Sequence, residues 1–232
     1  MPARVLVAGA HGGIGAAVTA ALDAAGNAAY GVDRDTVDIT EPGGAEEAVR
    51  QAGAELGGLD GIVHAIGMSG RSLGDGPVTD CTDEAWHEVH RVNHESVFRL
   101  LRAGIPALAA GGGGAIVVVG SALATTLAGD FLTVAYASAK GALVPLVRSA
   151  AYAAASSGVR VNIVAPGLVN TPMAARALTD PALAGSMAAL HPLSRRALEP
   201  EELAETILWL LSDASRTITG AVVPADGGWN LR

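Results

Sequence analysis

Val5-Leu6-Val7-Ala8-Gly9-Ala10-His11-Gly12-Gly13-Ile14-Gly15 passes from a run of apolar residues, through a glycine-rich turn, into an alanine-rich stretch. The first part reads as a buried strand over residues 4–8, and the last opens a helix over 13–25 that Gly26-Asn27 stops. Glycines between a strand and a helix permit a tight turn and bring backbone amides to the helix N-terminus, where a pyrophosphate can approach them. The spacing Gly9, Gly13, Gly15 differs from the general dinucleotide fingerprint G-x-G-x-x-G. A turn that merely saves space is the competing reading.

The same alternation continues outward. Strands are expected at 28–33, 37–39, 59–66, 115–120, 159–165 and 221–223. Helices are expected at 42–56, 82–110 and 136–156, with Pro42 in a first turn and Thr82 as an N-cap. The Gly111–Gly114 run precedes a strand, so it reads as a flexible turn and not a phosphate site. Pro145 falls inside a predicted helix, where it removes a donor and crowds the preceding turn, so a bend with the helix continuing is expected. Strand–helix alternation of this kind implies an α/β architecture: a single-domain doubly wound parallel sheet, the Rossmann fold, with helices on both faces. No repeat or linker divides residues 1–232, which read as one dinucleotide-binding domain.

Half of the residues are hydrophobic and only 3% are aromatic, so the core must be built from Ala, Val, Leu and Ile. A net charge of −8, with Arg195-Arg196 as the one basic pair, gives no footing for nucleic acid. A strand beginning at Arg4 leaves no room for a signal peptide, and no apolar stretch suits a bilayer. The single cysteine, Cys81, excludes an internal disulfide and reads as a plain thiol of a reducing compartment. A cytoplasmic protein with neither membrane nor nucleic-acid partner is expected. The six histidines show no metal-ligand spacing, so no metal is expected.

Two further features carry chemistry. Asp33 closes the second strand, where a carboxylate can accept from both hydroxyls of an adenosine ribose and repel a 2′-phosphate. Arg34 follows at once and could pair with that phosphate. Of the fifteen Lys and Arg residues only Lys140 is a lysine, and it lies one helical turn after Tyr136. An ammonium beside a phenol favours the phenolate, so the Tyr136 pKa is expected to fall toward the working range of a general acid or base. A surface pair on one helix face is the bland reading of the spacing alone.

Taken in order, these motifs resemble the short-chain dehydrogenases/reductases over essentially the whole chain. Gly9, Gly13 and Gly15 match the family's glycine turn, with Ala8 where Thr is usual. Asp38 matches an adenine-contacting Asp. His64-Ala65-Ile66-Gly67 stands where the family has N-N-A-G and keeps only its glycine. Asn93, Ser121, and Tyr136 with Lys140 match the helix asparagine, the active-site serine and Y-x-x-x-K. Residues 162–167 and Thr171 match the segment beside the nicotinamide, and Ile218-Thr219-Gly220 and Asp226-Gly227-Gly228 match the tail.

The resemblance implies hydride transfer between the nicotinamide and a carbonyl or alcohol carbon. Tyr136 would be the general acid/base and Ser121 would hydrogen-bond the substrate oxygen. Lys140 would bind ribose and hold the Tyr136 pKa down, and Asn93 would hold a water that links Lys140 to solvent. Gly9, His11, Gly13, Ile14, Gly15, Asp33, Arg34, Asp38, Ile39, Ala65, Gly67, Tyr136, Lys140, Pro166, Gly167, Val169 and Thr171 would hold the cofactor. Thr125 and Thr126 are fallback hydroxyls for Ser121, and His64 reads as a hydrogen-bonded core residue. A homo-oligomer, tetramer or dimer, is implied, with the helices of Asn93 and Tyr136 at an interface.

Residues 171–199 read as a substrate lid. If Met173, Leu178, Leu183, Met187, Leu190 and Leu193, with Leu123 and Phe131, face the site, it suits a small apolar or cyclic alcohol or ketone, and Arg195 or Arg196 could clamp a carboxylate. The leading expectation is an NAD(H)-dependent oxidoreductase of secondary alcohols and ketones. The alternatives are an NADPH-dependent ketone reductase, a non-catalytic nucleotide-binding regulator and an extended epimerase, which needs more C-terminal length.

Overall fold

The computed structural model describes residues 3–231, with Ala182 and Ala184 described by backbone alone. Six strands form one parallel sheet: β1 (Arg4–Ala8), β2 (Ala28–Val32), β3 (Gly61–His64), β4 (Gly114–Val119), β5 (Val159–Pro166) and β6 (Val222–Ala225). Their spatial order is β2-β1-β3-β4-β5-β6, so the chain reverses direction across the sheet between β1 and β3. That reversal opens a crevice at the carboxyl ends of the strands, where ligands of open α/β sheets bind.

Alternation within the strands divides the core in two. Leu6, Ile62, Ile116 and Ile163 face one side, beneath α2 (Gly44–Leu56), α4 (Ser96–Ala110) and α6 (Leu143–Ala154). Val5, Val7, Val63, Val117 and Val164 face the other, beneath α1 (Gly13–Ala24) and α9 (Pro200–Leu211). Both faces are covered, which is why the strands carry continuous apolar runs. The largest fully buried side chains are Leu, Ile and one histidine, so aliphatic packing fills the centre.

Several expectations are corrected. Residues 37–39 are not a strand: the Thr36 and Val37 amides donate back to the Asp33 carbonyl, both at 2.9 Å, and Asp38 Oδ1 accepts from the Thr40 amide at 2.8 Å. Local turns satisfy this backbone, and β2 is an edge strand. Helix α2 begins at Gly44 because Gly43 adopts φ 83°, leaving Pro42 outside. β3 stops at His64, so Ala65 and Ile66 leave the sheet toward the crevice.

The predicted 82–110 helix is three pieces. Thr82 caps α3 (Asp83–His90) by accepting from the Ala85 amide at 3.1 Å. A π-helical turn over Arg91–Glu95 then joins α3 to α4. The 136–156 helix begins earlier, as α5 (Val134–Gly141), and is interrupted at Ala142 before α6. Pro145 lies in the first turn of α6, where its missing amide is tolerated, so the chain restarts its helix instead of bending through it. Gly112, Gly113 and Gly114 all have positive φ and lead into the amino end of β4, the opposite end of the sheet from the crevice.

Candidate active site

The glycine turn sits at the crevice with its shape set by the protein's own packing. A methyl on Gly9 would lie 2.9 Å from the Ala65 carbonyl carbon, one on Gly13 2.5 Å from Thr171 Cγ2, and one on Gly15 2.0 Å from the Gly9 oxygen. These glycines therefore lock the ends of β1, β3 and β5 together. What the turn leaves open is the start of α1. Gly12 occupies its N-cap, offers no side-chain acceptor, and no acidic residue follows in the first turn. Unpaired amides and the positive end of the helix dipole suit a pyrophosphate.

Asp33 stands at the end of β2, its carboxylate held by the His11 amide at 3.1 Å and the Arg34 amide at 2.8 Å. His11 is exposed, with Nδ1 3.2 Å from Asp35. Arg34 is exposed, and Ile14 and Ala65 are half-buried. Asp38 caps its own turn through Thr40. Ile39 is fully buried in the core, so it can offer a cofactor only its backbone. These residues fit a dinucleotide at the crevice: an uncapped helix start for phosphate and a fixed carboxylate at the neighbouring strand end.

Across the crevice, Ser121 emerges from β4, with Oγ accepting from the Leu123 amide at 3.2 Å, and lines the same cavity as Tyr136. Thr125 bonds Asn230 and Thr126 bonds the Ala122 carbonyl, away from Tyr136. Lys140 is buried behind the phenol: its Nζ donates to the Val119 carbonyl at 2.9 Å and lies 5.9 Å from the Tyr136 ring centroid. Burial lowers the Lys140 pKa to about 8. The expected fall of the Tyr136 pKa is corrected. Enclosure raises it, and the Ser121 hydroxyl only partly opposes that.

Asn93 lies on the π turn, fully buried. Its amide protons go to the Met68 and Val89 carbonyls, both at 3.0 Å, and its Oδ1 accepts from the Met68 amide at 3.2 Å. The side chain thus ties the strand-β3 loop to the helix, with one acceptor position left on Oδ1. A methyl on Gly67 would lie 3.0 Å from that oxygen and 3.5 Å from Lys140 Nζ, so glycine keeps the three in register.

Between these walls lies a cavity of about 400 Å³. Ser121, Tyr136, Pro166, Gly167, Val169, Thr171, Leu123, Phe131 and Met173 line it. The expected lid comprises a short 3-10 turn, α7 (Ala175–Thr179) and α8 (Pro181–Leu190), and its return is fixed where Val169 bridges Leu198. Its apolar residues are mostly not cavity walls. Leu183 is buried, Met187 and Leu190 pack on Trp229, and Leu193 is 85% exposed. Arg195 and Arg196 also lie outside the cavity lining, and Arg196 is paired with Glu202 at 2.8 Å.

Sequence reading missed several participants. Trp229 lines the cavity floor and meets Phe131 edge-on, with centroids 5.3 Å apart. Its position just after Asp226-Gly227-Gly228 and the scarcity of aromatics were usable signals. Arg71 and Arg176 also line the cavity. Asp75, 5% exposed, accepts from the Ala135 and Tyr136 amides, both at 3.0 Å, and so holds the start of α5 from a distant loop. No local pattern announces it. His64 Nε2 lies 2.8 Å from Ser96 Oγ, which itself donates to the Val92 carbonyl at 2.6 Å, so the histidine must be the donor of that pair. Its Nδ1 has no partner among the described residues, and burial, followed by the Lys140 charge, lowers its pKa to about 3.

Among the described residues no cluster of His, Cys, Asp or Glu could hold a metal ion, and no helix is long and apolar enough to cross a membrane. A family model described as enoyl-(acyl carrier protein) reductase matches residues 3–230. The chain is 32% identical to a 3-alpha-hydroxysteroid dehydrogenase/carbonyl reductase of Comamonas testosteroni, over 97% of this chain and 95% of that protein. It is 34% identical to a cis-4-hydroxycyclohexanecarboxylate dehydrogenase of Sinomonas cyclohexanicum, over 97% and 95%. A solved short-chain type dehydrogenase/reductase from Mycobacterium ulcerans superposes with a TM-score of 0.89 at 30% identity, covering 100% of this chain and 92% of that one. The parallel sheet covered by helices on both faces agrees with these likenesses: the chain belongs to the short-chain dehydrogenase/reductase family, oxidoreductases of alcohol and ketone substrates that work with a nicotinamide dinucleotide.

Proposed function

We propose that the protein interconverts a secondary alcohol and a ketone on a small apolar or cyclic substrate, with NAD(H) as cofactor and Tyr136 as general acid/base. The observation that carries this is that Tyr136 and Ser121 line one cavity, with Lys140 buried behind the phenol. When bound, the nicotinamide supplies or accepts the hydride. The chain handles the proton and the geometry. Ser121 donates to a substrate oxygen and holds it beside the phenol. The raised pKa keeps Tyr136 protonated at neutral pH, ready to donate to a developing alkoxide. Lys140, poised near 8, is the cation that favours the phenolate in the reverse direction. Asn93 and Gly67 keep Lys140 in place, and the 171–199 segment excludes water from the cavity. Leu123, Phe131, Met173 and Trp229 favour an apolar substrate body, in keeping with the steroid and cyclohexane compounds in the relatives' names.

The start of α1, with Gly9, His11, Gly13, Ile14 and Gly15, would receive the pyrophosphate, and Asp33 the adenosine ribose. Ala65, Gly67, Pro166, Gly167, Val169 and Thr171 would flank the nicotinamide half. NAD(H) is preferred because the Asp33 charge is fixed at the strand end by two amides, whereas no bond holds Arg34 toward the crevice through its guanidinium among the described residues. The exposed Trp86 and Phe98 on α3 and α4 favour a homo-oligomer, a dimer or tetramer, and we place the protein in the cytoplasm. The test is titration of the purified protein with NADH and NADPH at one salt concentration, followed by a ketone screen with the tighter cofactor. Tighter NADH binding with ketone turnover is expected. Tighter NADPH binding would shift the reading to an NADPH-dependent reductase through Arg34, and binding of neither would defeat the enzyme reading.

A further inference from the structure

The cavity holds a feature that alcohol–ketone chemistry does not use. Arg71 lies in the turn after β3 and Arg176 on α7, and both line the cavity. Both guanidiniums reach the same neutral acceptor, the Asp130 carbonyl, at 3.2 Å and 3.5 Å. Six of the described arginines pair with a carboxylate within 4.0 Å, and neither Arg71 nor Arg176 is among them. Two cations are thus drawn together on one carbonyl at the edge of a largely apolar chamber. Burial and then the Arg176 charge depress the Arg71 pKa, with Asp75 only partly opposing, as expected of a cation that lacks an anion.

We propose that Arg71 and Arg176 form an anion clamp that selects substrates carrying a carboxylate. The substrate would be a compact apolar alcohol or ketone with its reacting carbon at Ser121 and Tyr136 and a carboxylate between the arginines. Guanidinium forks match carboxylate geometry, and two of them can grip both oxygens while the Asp130 carbonyl gives up its weak bonds. The pair also gives the 171–199 segment a reason to close, because Arg176 rides on it and Arg71 does not. This inference rests on the alcohol–ketone reading for its reacting end only.

The test compares 4-oxocyclohexanecarboxylate with its carboxamide, an equally shaped neutral ketone, in the holoenzyme and in Arg71→Gln and Arg176→Gln. The native protein should favour the carboxylate in kcat/KM by about thirtyfold, and either substitution should cut that ratio by about tenfold, chiefly through KM. Arg71→Lys, which keeps the charge, replaces Arg71→Gln if the latter melts early, and should retain part of the preference. Binding of cyclohexanecarboxylate and cyclohexanecarboxamide, measured calorimetrically, gives a readout free of turnover. Carboxylate binding that Arg176→Gln weakens, with no ketone turned over, would uphold the clamp and defeat the alcohol–ketone reading. Equal use and equal binding of acid and amide would overturn the clamp. Tighter binding of cyclohexyl phosphate than of the carboxylate would overturn the carboxylate assignment.

Discussion

Two helices start at the same crevice, and their first turns are treated in opposite ways. At α1 the N-cap is Gly12, with no side chain to accept from the helix amides. At α5 the corresponding amides, Ala135 and Tyr136, are both claimed by the buried Asp75 carboxylate. An open start keeps donors and positive potential for a ligand, whereas a plugged start uses them to fix the helix. The plugged helix carries Tyr136 and Lys140, whose positions must not wander. A binding surface tolerates an empty end, but a proton-transfer group needs an anchored one.

Four changes break or sharpen this contrast, taken from the largest expected effect downward. Tyr136→Phe keeps the helix and removes the proton donor, so kcat should fall by roughly a hundredfold or more while cofactor binding persists. Stopped-flow turnover beside NADH titration separates the two. Asp75→Ala strips the plug from α5, with an expected loss of about 2 kcal/mol in urea unfolding and a kcat reduced more than cofactor affinity. Unchanged stability would show that the start of α5 does not depend on Asp75.

Gly12→Asp does the reverse at α1. The residue has extended backbone (φ −77°, ψ 163°), and a Cβ there would meet only the Gly9 oxygen, at a tight 3.3 Å that the loop must relieve by a small shift. A new cap should stabilise the helix by about 0.5–1 kcal/mol and weaken NADH binding by about tenfold, because a carboxylate would occupy the anion's place. A rise in stability without a loss of affinity would detach the helix start from the cofactor. The smallest effect concerns His64, near Lys140. Its folded pKa of about 3 lies below its ordinary 6.5, so the unfolded chain binds the proton first as pH falls. Stability should decline from pH 6.5 downward at up to about 1.4 kcal/mol per pH unit from this group. His64→Asn should flatten that decline between pH 6.5 and 5.5, measured by denaturant midpoints.

The sheet and its helices were readable because strand alternation, glycine turns and helix caps are local properties of the backbone. The 37–39 segment was misread as a strand because three branched or acidic residues resemble one until an edge position leaves them unpaired. The 82–110 helix had the right span, yet its periodicity hid the π turn that sets Asn93 inward. The site divides in the same way. Tyr136 and Lys140 were found because one helical turn separates them. The direction of the Tyr136 pKa shift was misjudged, because spacing reports a neighbour's charge and says nothing of burial.

By itself the sequence determined the order of elements, the glycine turn, the Tyr136–Lys140 pair and the two-sided aliphatic core, since each follows from neighbours a few residues apart. Only the tertiary structure decided what plugs α5, which lid residues are core, which hydroxyl lines the cavity with the phenol, and that Arg71 and Arg176 share one carbonyl. Those are contacts between distant segments brought together by packing, and burial and pairing energies depend on that three-dimensional surrounding and not on spacing along the chain.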